Sequence, residues 1–400
     1  MQSFRYSLLI ILLPLILFTG CNNSKHSDTV NTLISNVKND FVPDSRVAIF
    51  DISAEANSNS VVLKGETTLP EAKQALLDSL RSKEIIFADS IDVLPDVSVG
   101  ENYFALVNNS AANLRSEPKH SAQLATQAIM GMPLKVLKKQ GGWYLVQTPE
   151  DYLSWVDGGG IERMTEESYS GWAASEKIIY LETYGFSYSN ANRNSEKVSD
   201  LVAGSILKLR SGNGSYYNVE YPDGRSGFVH KSEARLLNDW ESSISATHES
   251  LIETAKTMIG APYLWGGTST KGMDCSGFTK TIYFMNGQII PRDASQQVKA
   301  GKLIDSNKDW DKLEVGDLLF FGREATDSRS RAVTHVGMWI GDNKFIHSAS
   351  NVHISSVDPD SDIYDGFNTG RYLEARRYID NWDGNIIPTN KMYTTLVEVR

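Results

Sequence analysis

The first hundred residues alternate short apolar runs with one amphipathic stretch. Residues 46–53, 60–67 and 85–95 are apolar runs of strand length. Residues 69–83 instead place their apolar side chains at helical spacing. This apolar face consists of Leu69, Ala72, Leu76, Leu77 and Leu80. We therefore predict a small α/β domain over residues 31–98.

Two later segments, residues 105–164 and 178–237, repeat one pattern of short alternating strands. The first contains the runs PLKVLKK, WYLVQTP and YLSWV, and the second contains ILKLRSG, YYNVEYP and RSGFVHK at matching offsets. Turns that contain glycine separate these runs, as is typical of antiparallel sheets. The repeat predicts two small β-barrels, over residues 99–165 and 166–238.

The pattern changes again near residue 245. Ser250 and Glu253 have the spacing of a capping box, and the helical run that follows stops at Gly260. We predict that a third domain, with both helices and strands, covers residues 239–380. Residues 381–400 show no clear pattern and are expected to form a tail. The whole pattern predicts an α+β protein.

Composition and charge narrow the class of protein. With 41% hydrophobic and 22% charged residues, the chain resembles a globular protein rather than a disordered or fibrous one. Its 39 basic and 49 acidic residues give a net charge of −10. This balance argues against a nucleic-acid partner, because the acidic excess leaves phosphate groups without neutralisation. We also expect no cofactor.

The N-terminus has the features of an export signal. Arg5 precedes an apolar run over residues 8–18 that is too short to span a membrane, and Thr-Gly-Cys then ends at Cys21. This ending resembles the lipobox of bacterial lipoproteins, which implies a signal peptide over residues 1–20 and lipid on Cys21. An ordinary secretory signal with an incidental cysteine is the alternative. We expect a polar tether over residues 21–30 and a lipid-anchored, periplasm-facing protein of the cell envelope.

The second of the chain's two cysteines is Cys275. Lipid on Cys21 would leave it a free thiol. Within residues 261–287, Cys275 stands where a glycine-rich loop gives way to a run with helical spacing. The positive end of a helix dipole favours a thiolate, so we predict a thiol pKa below the ~8.5 of a free cysteine. Cys275 is therefore a candidate nucleophile, and a nucleophile of this kind needs a base.

Two of the seven histidines lie on neighbouring strand-like runs, His335 in AVTHVGMWIG and His347 in KFIHSAS. On an antiparallel pair they share a face only if the connecting loop holds an odd number of residues. We predict the three-residue loop 341–343 rather than a two-residue turn at 342–343. The two residues then become diagonal neighbours with backbones ~7–8 Å apart and a hydrogen bond between their rings. His335 is the candidate base, a buried core histidine is the alternative, and we expect His353 at the surface.

Zinc binding is the competing use of these side chains. Cys275, His335 and His347 together provide three potential ligands. A catalytic zinc site does not require its cysteine to begin a helix, however. We therefore expect no metal.

The motifs around these residues follow one another in a known order. DCSGF at Cys275 is followed by LEVGDLLFF, by THVGMWIG at His335 and by FIHSAS at His347. This order, over residues 250–378, resembles the NlpC family of papain-like peptidoglycan peptidases. The resemblance implies a papain-like catalytic domain with Cys275 as nucleophile, His335 as base and His347 as third member of the triad. ANLRSEP at 112–118, with GWYLV and YLSWV, resembles the bacterial SH3-like domains of cell-wall enzymes.

An NlpC-like domain with two SH3-like domains resembles one subgroup, the γ-D-glutamyl-L-diamino acid peptidases of the dipeptidyl-peptidase VI type. Those enzymes release L-Ala-γ-D-Glu from peptidoglycan stem peptides that have a free N-terminal L-Ala. The resemblance implies the same substrate here. It also implies six substrate-binding residues, namely Glu117, Tyr152, Tyr263, Asp274, Ser276 and Asp293. Asp151 precedes Tyr152 where the subgroup has glycine.

The acidic members of this set suit a cationic group. A free α-amine is charged near neutral pH, and the carboxylates of Asp293 and Glu117 would satisfy it, whereas an N-acylated substrate would leave them unpaired. Asp293 alternatively caps a helix that begins near residue 294. Two other functions stay open, an endopeptidase or amidase on intact peptidoglycan and a non-catalytic lipoprotein that binds the cell wall.

Overall fold

The computed structural model describes residues 22–56, 60–381 and 383–398. The predicted signal peptide and the predicted lipid-attachment site, Cys21, lie outside these ranges. Within them, no helix combines the length and the apolar character needed to cross a membrane.

Among the described residues, the first compact unit comprises 22–45, 49–56 and 60–93. Its helices and strands are α1 (Asn22–Phe41), β1 (Phe50–Ala56), β2 (Val61–Thr67), α2 (Pro70–Ser82) and β3 (Phe87–Val93). β1 and β2 are antiparallel, whereas β2 and β3 are parallel and are connected by the crossover helix α2. The predicted apolar face of α2 is buried from Ala72 to Leu80, which confirms the helix predicted over residues 69–83.

Helix α1 corrects one expectation. Residues 22–30, which we expected to form a polar tether, are its first turns. Farther along, Val30, Ile34 and Val37 are buried on one face of the helix. The hydrogen bonds of a helix join backbone groups, so a packed segment extends into polar sequence without needing apolar side chains there. Polarity alone was therefore a poor guide to the conformation of these residues.

The second compact unit comprises residues 46–48 and residue 94 onward, and the first predicted barrel lies near its beginning. The strands of this barrel are β4 (Phe104–Val107), β5 (Ala111–Arg115), β6 (Leu124–Ile129), β7 (Pro133–Gln140), β8 (Trp143–Gln147), β9 (Leu153–Asp157) and β10 (Ile161–Met164). They form one sheet in the order β10-β4-β7-β8-β9-β5-β6. Leu114, Leu134 and Val146 are fully buried in its core.

The second predicted barrel follows helix α3 (Glu166–Ala174). Its strands are β11 (Lys177–Tyr180), β12 (Tyr184–Tyr188), β13 (Lys197–Val202), β14 (Ile206–Asn213), β15 (Tyr216–Glu220), β16 (Ser226–His230) and β17 (Ala234–Leu236). When the strands of each barrel are numbered from its own first strand, both sheets have the order 7-1-4-5-6-2-3. The shared topology confirms the repeat that the strand pattern predicted.

The third predicted domain packs helices against an antiparallel sheet. Its elements are α4 (Leu237–Ser243), α5 (His248–Thr257), β18 (Thr268–Ser269), β19 (Gly272–Met273), α6 (Cys275–Phe284), β20 (Gln288–Ile289), α7 (Ala294–Gln297), β21 (Lys302–Asp305), β22 (Leu318–Arg323), β23 (Ala332–Gly341), β24 (Lys344–Ser348), β25 (Val352–Ser356), α8 (Gly366–Gly370) and β26 (Tyr372–Arg377). The main sheet has the order β21-β26-β22-β23-β24-β25. α6 packs against β23 and β24, and Phe278, Ile282 and Val336 share one buried core. This packing brings the start of α6 next to the strands that carry the histidines.

The last described residues belong to the folded unit, although no sequence pattern predicted this. β27 (Ile387–Pro388) pairs with β20, and α9 (Met392–Glu398) follows it. Met392 is buried in the core of the first barrel, and the Tyr393 hydroxyl donates to the carbonyl of Gly131 at 2.9 Å. The expected boundary at residue 380 is therefore wrong. The contacts that order this segment are distant in sequence, so local periodicity carried no sign of them.

A buried ion pair joins the first barrel to α6. Lys280 Nζ lies 3.0 Å from Glu150 Oε1, and the two side chains are 7% and 5% exposed. Lys280 also donates to the carbonyl of Ile290 at 3.2 Å. Removing one partner of such a pair leaves an uncompensated charge in a medium of low polarity. The pair therefore fixes how the barrel docks on the nucleophile helix.

We expect Lys280→Met to lower the free energy of unfolding by about 3–5 kcal/mol, because Glu150 stays buried without its cation. Lys280→Met/Glu150→Met should recover most of that loss. Lys119→Met, which removes one partner of the exposed Lys119–Glu117 pair, is the control and should change stability by less than about 1 kcal/mol. Urea denaturation measures all four proteins. Equal losses in the single and double variants would contradict a role for the buried charge.

Candidate active site

Cys275 is the first residue of α6, and the residue before it caps the helix. Asp274 Oδ1 accepts from the backbone N–H of Gly277 at 2.7 Å, and Asp274 Oδ2 accepts from the N–H of Gly266 at 3.0 Å. A Cβ atom at Gly277 would lie 2.0 Å from the carbonyl oxygen of Gly267, so only glycine fits there. The DCSG sequence therefore places Cys275 at a helix N-terminus, as predicted.

Arg292 holds Asp274 in this position. The guanidinium donates to both carboxylate oxygens of Asp274, at 2.7 and 3.2 Å, and to the Ser276 hydroxyl at 3.0 Å. Its Nε donates to the Thr126 hydroxyl of the first barrel at 2.8 Å. Arg292 is 1% exposed, so this ion pair is buried. We did not single out Arg292 from the sequence, although it directly precedes Asp293 in the PRDASQQ segment.

His335 on β23 and His347 on β24 contact each other directly. His335 Nε2 lies 2.7 Å from His347 Nδ1, which confirms the predicted hydrogen bond between the rings. This contact leaves Nδ1 of His335 as the ring nitrogen not engaged by His347. On its other side, His347 Nε2 lies 3.1 Å from Ser355 Oγ and 3.2 Å from His353 Nε2. His347 therefore links the candidate base to a second layer of polar groups.

The loop that sets this register differs from the predicted one. Asp342 and Asn343 form a two-residue turn with φ values of 50° and 57°, the left-handed conformation of primed hairpin turns. A β-bulge at Ile340 then inserts one extra residue between the Trp339–Phe345 and Gly341–Lys344 pairs. The three-residue loop is wrong, but the bulge supplies the odd residue and keeps both imidazoles on one face.

His353 also departs from expectation. It lies within β25 directly opposite His347, and it is half-buried rather than at the surface. Its Nδ1 contacts the carbonyl of Asn351 at 2.9 Å. Residues after FIHSAS looked like the end of the strand pair because they are polar. The local pattern therefore did not reveal β25, which pairs with β24 as the third of three successive antiparallel strands.

Burial governs the protonation of the nucleophile and of the histidines. Burial, with a smaller effect of the Asp274 charge, raises the pKa of the Cys275 thiol to about 12. Burial lowers the pKa of His335 to about 4, with Arg371 acting in the same direction and Asp365 and Asp274 against it. Burial, with a smaller effect of the neighbouring His335 and His353, lowers the pKa of His347 to about 2. The prediction of a lowered thiol pKa is therefore wrong, because desolvation outweighs the helix dipole. At neutral pH the Cys275 thiol and both imidazoles are therefore uncharged.

A cavity of about 450 Å³ opens beside Cys275. Five of the six predicted substrate-binding residues line it, namely Tyr152, Tyr263, Asp274, Ser276 and Asp293. Burial raises the pKa of Tyr263, so its hydroxyl stays protonated and remains a hydrogen-bond donor. Asp274 is already engaged by Arg292 and by two backbone N–H groups, which leaves Asp293 as the other carboxylate of the lining.

Glu117 does not reach this cavity. Its carboxylate pairs with Lys119 at 2.7 Å, and its side chain is 60% exposed. The preceding residue, Ser116, is the part of this turn that lines the cavity. The position of Glu117 in the motif therefore did not show that its carboxylate pairs with Lys119 outside the cavity. The expected pair of carboxylates is incomplete in this structure.

Tyr152 and Asp293 join the barrel to the start of α7. The Tyr152 hydroxyl donates to Asp293 Oδ2 at 3.1 Å. Asp151 has a φ of 65°, which is the left-handed region that glycine favours, so the backbone keeps its course without the glycine of the resembling subgroup. Asp293 is also the N-cap residue of α7, where Gln296 Oε1 accepts from its backbone N–H at 3.1 Å. The helix-cap interpretation of Asp293 is therefore confirmed, whereas its role in binding a substrate amine stays a prediction.

Arg46 is a further residue of the site that sequence reasoning missed. It lines the same cavity, and its Nη1 lies 2.7 Å from Asp293 Oδ2 and 2.9 Å from Ser295 Oγ. In sequence it is an unremarkable basic residue at the start of an apolar run, far from every motif. Only the folded chain reveals its place.

Metal binding has no support from side-chain placement in the described part of the chain. No group of three or more His, Cys, Asp or Glu side chains there is arranged to hold an ion. Two of the three ligands considered for zinc, His335 and His347, instead meet through their ring nitrogens.

Comparison with known proteins identifies the family. Residues 260–392 match the NlpC/P60 family, and residues 110–162 match the bacterial SH3 domain. The γ-D-glutamyl-L-lysine dipeptidyl-peptidase of Bacillus cereus is 31% identical over 276 residues, which cover 64% of this chain and 76% of that protein. The enzyme of the same name from Bacillus subtilis is 33% identical, over 56% and 72% of the two chains. The chain belongs to the NlpC/P60 family.

A solved structure of an NlpC/P60 family protein from Bacillus cereus agrees with this placement. It is 26% identical to this chain, with a TM-score of 0.59, and the match covers 69% of this chain and 99% of that one. The family members are cysteine peptidases that act on peptidoglycan, and this protein is a cysteine peptidase with a papain-like catalytic domain. The family match extends to residue 392, past the boundary that we expected at 380.

The buried histidine predicts a specific loss of stability in acid. The folded protein keeps His335 neutral down to a pKa of about 4, whereas the unfolded chain takes up the proton near 6.5. Acidification from pH 7 to pH 5 therefore favours unfolding, by about 2 kcal/mol for this group. We expect His335→Gln to lose about 2 kcal/mol less than the wild type over this interval, in urea denaturation at each pH.

His120→Gln is the matched control, because His120 is 79% exposed. Its loss of stability between pH 7 and pH 5 should equal that of the wild type. An identical pH dependence in His335→Gln and wild type would show that His335 is not held neutral by burial.

Proposed function

We propose that the protein hydrolyses the bond between γ-D-Glu and the diamino acid of peptidoglycan stem peptides that have a free N-terminal L-Ala. The products are L-Ala-γ-D-Glu and a peptide that begins with the diamino acid. This proposal rests on one observation: Cys275 and the hydrogen-bonded pair of Tyr152 and Asp293 line the same cavity. The names of the relatives from Bacillus cereus and Bacillus subtilis support it.

The chemistry begins with proton transfer from the thiol. His335, held neutral by burial, accepts the Cys275 proton as the sulfur attacks the γ-carbonyl carbon of D-Glu. Because the pKa of the thiol is raised, we expect the proton to leave as the sulfur attacks, rather than beforehand to give a thiolate. His347 keeps the ring of His335 in position through the 2.7 Å contact between their nitrogens.

The remaining steps return the enzyme to its starting state. The backbone N–H of Cys275, at the helix N-terminus, and the Tyr263 hydroxyl stabilise the oxyanion. The protonated His335 gives its proton to the amine of the diamino acid, and the C–N bond breaks to leave a thioester. Water then attacks the thioester with His335 as base, which releases the dipeptide and restores the thiol.

The part of the cavity lined by Tyr152 of the first barrel explains why the released product is a dipeptide. Asp293 is a carboxylate within reach of the cavity, and Tyr152 holds it by a hydrogen bond. The α-ammonium of L-Ala is a fitting partner for this carboxylate. A blocked or sugar-linked amine brings no charge to it and adds bulk where the barrel closes the cavity. The site therefore favours the free stem peptide over the intact cell wall.

We further propose that Cys21 carries lipid and anchors the protein to a membrane of the cell envelope, facing the periplasm. The support is the arrangement of Arg5, the apolar run at residues 8–18 and Thr-Gly-Cys. A soluble substrate such as a free stem peptide is accessible to an enzyme held at a membrane surface.

Cleavage assays on matched peptides test the peptidase proposal. We expect L-Ala-γ-D-Glu-L-Lys or its diaminopimelate analogue to be cleaved, with kcat/KM at least about 100-fold above that of the N-acetylated peptide, because the blocked amine brings no charge to Asp293 and adds bulk at that part of the cavity. Cys275→Ala should abolish turnover and keep the thermal unfolding midpoint of the wild type. Comparable cleavage of both peptides, or release of fragments from intact sacculi, would overturn the requirement for a free amine.

Metabolic labelling tests the anchor. We expect the wild type expressed in a bacterial host to incorporate labelled palmitate and to sediment with membranes, because two or more acyl chains bind membranes stably. Cys21→Ser should lose both the label and the sedimentation, while Cys275→Ser keeps them. Palmitate incorporation by Cys21→Ser, or its absence from the wild type, would contradict the assignment.

A further inference from the structure

The backbone around Arg46 is anchored beside the amine end of the cavity. The carbonyl oxygen of Arg46 accepts from the N–H of Leu153 at 2.8 Å, one residue after Tyr152. The carbonyl of Val47 accepts from the side-chain amide of Gln147 at 3.2 Å. These bonds attach residues 46–48 to β8 and β9 of the first barrel. The Arg46 side chain therefore starts from a fixed point next to Tyr152.

The guanidinium of Arg46 forms an ion pair with the Asp293 carboxylate, which the proposed function assigns to the α-ammonium of the substrate. Its Nη1 lies 2.7 Å from Asp293 Oδ2, the same oxygen that accepts from the Tyr152 hydroxyl. The Arg46 and Asp293 side chains are 37% and 26% exposed, so the pair lies at the cavity rather than in the core. A partly exposed ion pair of this kind is weak enough to exchange one cation for another.

The charges of the site balance without a ligand. Asp274 is paired with Arg292 in the buried layer, and Asp293 is paired with Arg46 at 2.7 Å at the cavity and more distantly, at 3.9 Å, with Arg292. Glu117, which was expected to add a second carboxylate, pairs with Lys119 outside the cavity. An incoming α-ammonium therefore meets two carboxylates that each already have a cation.

We infer that Arg46 is a specificity-determining residue that competes with the substrate's α-ammonium for Asp293. This inference rests on the proposed function, because it assumes that Asp293 receives the amine. In the free enzyme the guanidinium is the resident cation of this subsite. Substrate binding displaces it or shares the carboxylate with it, and the cost of doing so raises KM for every peptide with a free amine.

The same competition acts in the opposite sense on blocked peptides. A neutral N-acetyl group leaves the Arg46–Asp293 pair in place, so the carboxylate remains compensated while such a peptide is bound. Without Arg46, Asp293 would keep only the longer 3.9 Å ion pair with Arg292 Nη1, and that peptide would cover a less compensated carboxylate. Arg46 therefore weakens both the binding of peptides with a free amine and the enzyme's preference for them over blocked peptides. Its removal should increase the ratio of kcat/KM for the free peptide to that for the N-acetylated peptide.

Steady-state kinetics on the full chain test this inference. We expect Arg46→Gln to lower KM for L-Ala-γ-D-Glu-L-Lys about tenfold with little change in kcat, because a competing charge is lost from the ground state. Cleavage of the N-acetylated peptide should stay the same or slow further. Arg46→Lys keeps the charge and should resemble the wild type. Arg210→Gln, in an exposed pair with Glu220 of the second barrel, is the control for loss of a surface arginine.

Direct binding gives a second readout that does not depend on turnover. Calorimetric titration of L-Ala-γ-D-Glu into Cys275→Ala and into Cys275→Ala/Arg46→Gln should show about tenfold tighter binding to the double variant. Thermal unfolding of each variant verifies that it is folded.

Each outcome separates the two proposals. A free-amine preference with an unchanged or raised KM in Arg46→Gln overturns the competition, and a raised KM would instead show that Arg46 positions Asp293 or binds the substrate. Loss of the free-amine preference in the wild type itself overturns the proposed function, and the competition with it. A lowered KM in Arg46→Gln, with Arg46→Lys and Arg210→Gln near the wild type, supports both.

Discussion

The buried ion pair between Arg292 and Asp274 is the contact on which the rest of the site depends. With 1% of the Arg292 side chain and 11% of the Asp274 side chain exposed, both charges have little access to solvent as an alternative partner. The Asp274 carboxylate also accepts from the loop before Cys275 and from the first turn of α6. Because Arg292 reaches Thr126 as well, one guanidinium fixes the nucleophile, its loop and the barrel that completes the cavity.

Burial then decides how proton transfer can occur in the site that Arg292 and Asp274 hold together. The thiol and both imidazoles lie where charged forms are costly, so Cys275, His335 and His347 are all neutral at neutral pH. Catalysis in such a site depends on transferring a proton when the substrate arrives, rather than on a thiolate that already exists. The same burial links catalysis to stability, because acid favours the unfolded chain by protonating His335.

The sequence anticipated the features that local patterns encode. The strand repeats predicted two barrels of the same topology, the DCSG segment predicted a cysteine at a helix start, and parity predicted that His335 and His347 would touch. The errors came from effects without a local signal. Ile340 forms a bulge between two regular strand pairs, the Glu117 side chain is exposed and pairs with Lys119, and the thiol pKa rises because Cys275 is buried.

The sequence by itself determined the kind of protein this is, because helix caps, strand alternation and motif order are written within short stretches of chain. Cys275, His335 and His347 followed from such stretches, and so did the domains that carry them. Only the tertiary structure decided how the carboxylates of the cavity are shared. Arg46 lies 247 residues from Asp293 in the chain, and its role arises because folding brings it to the start of α7, where charge pairing in space replaces any pattern along the chain.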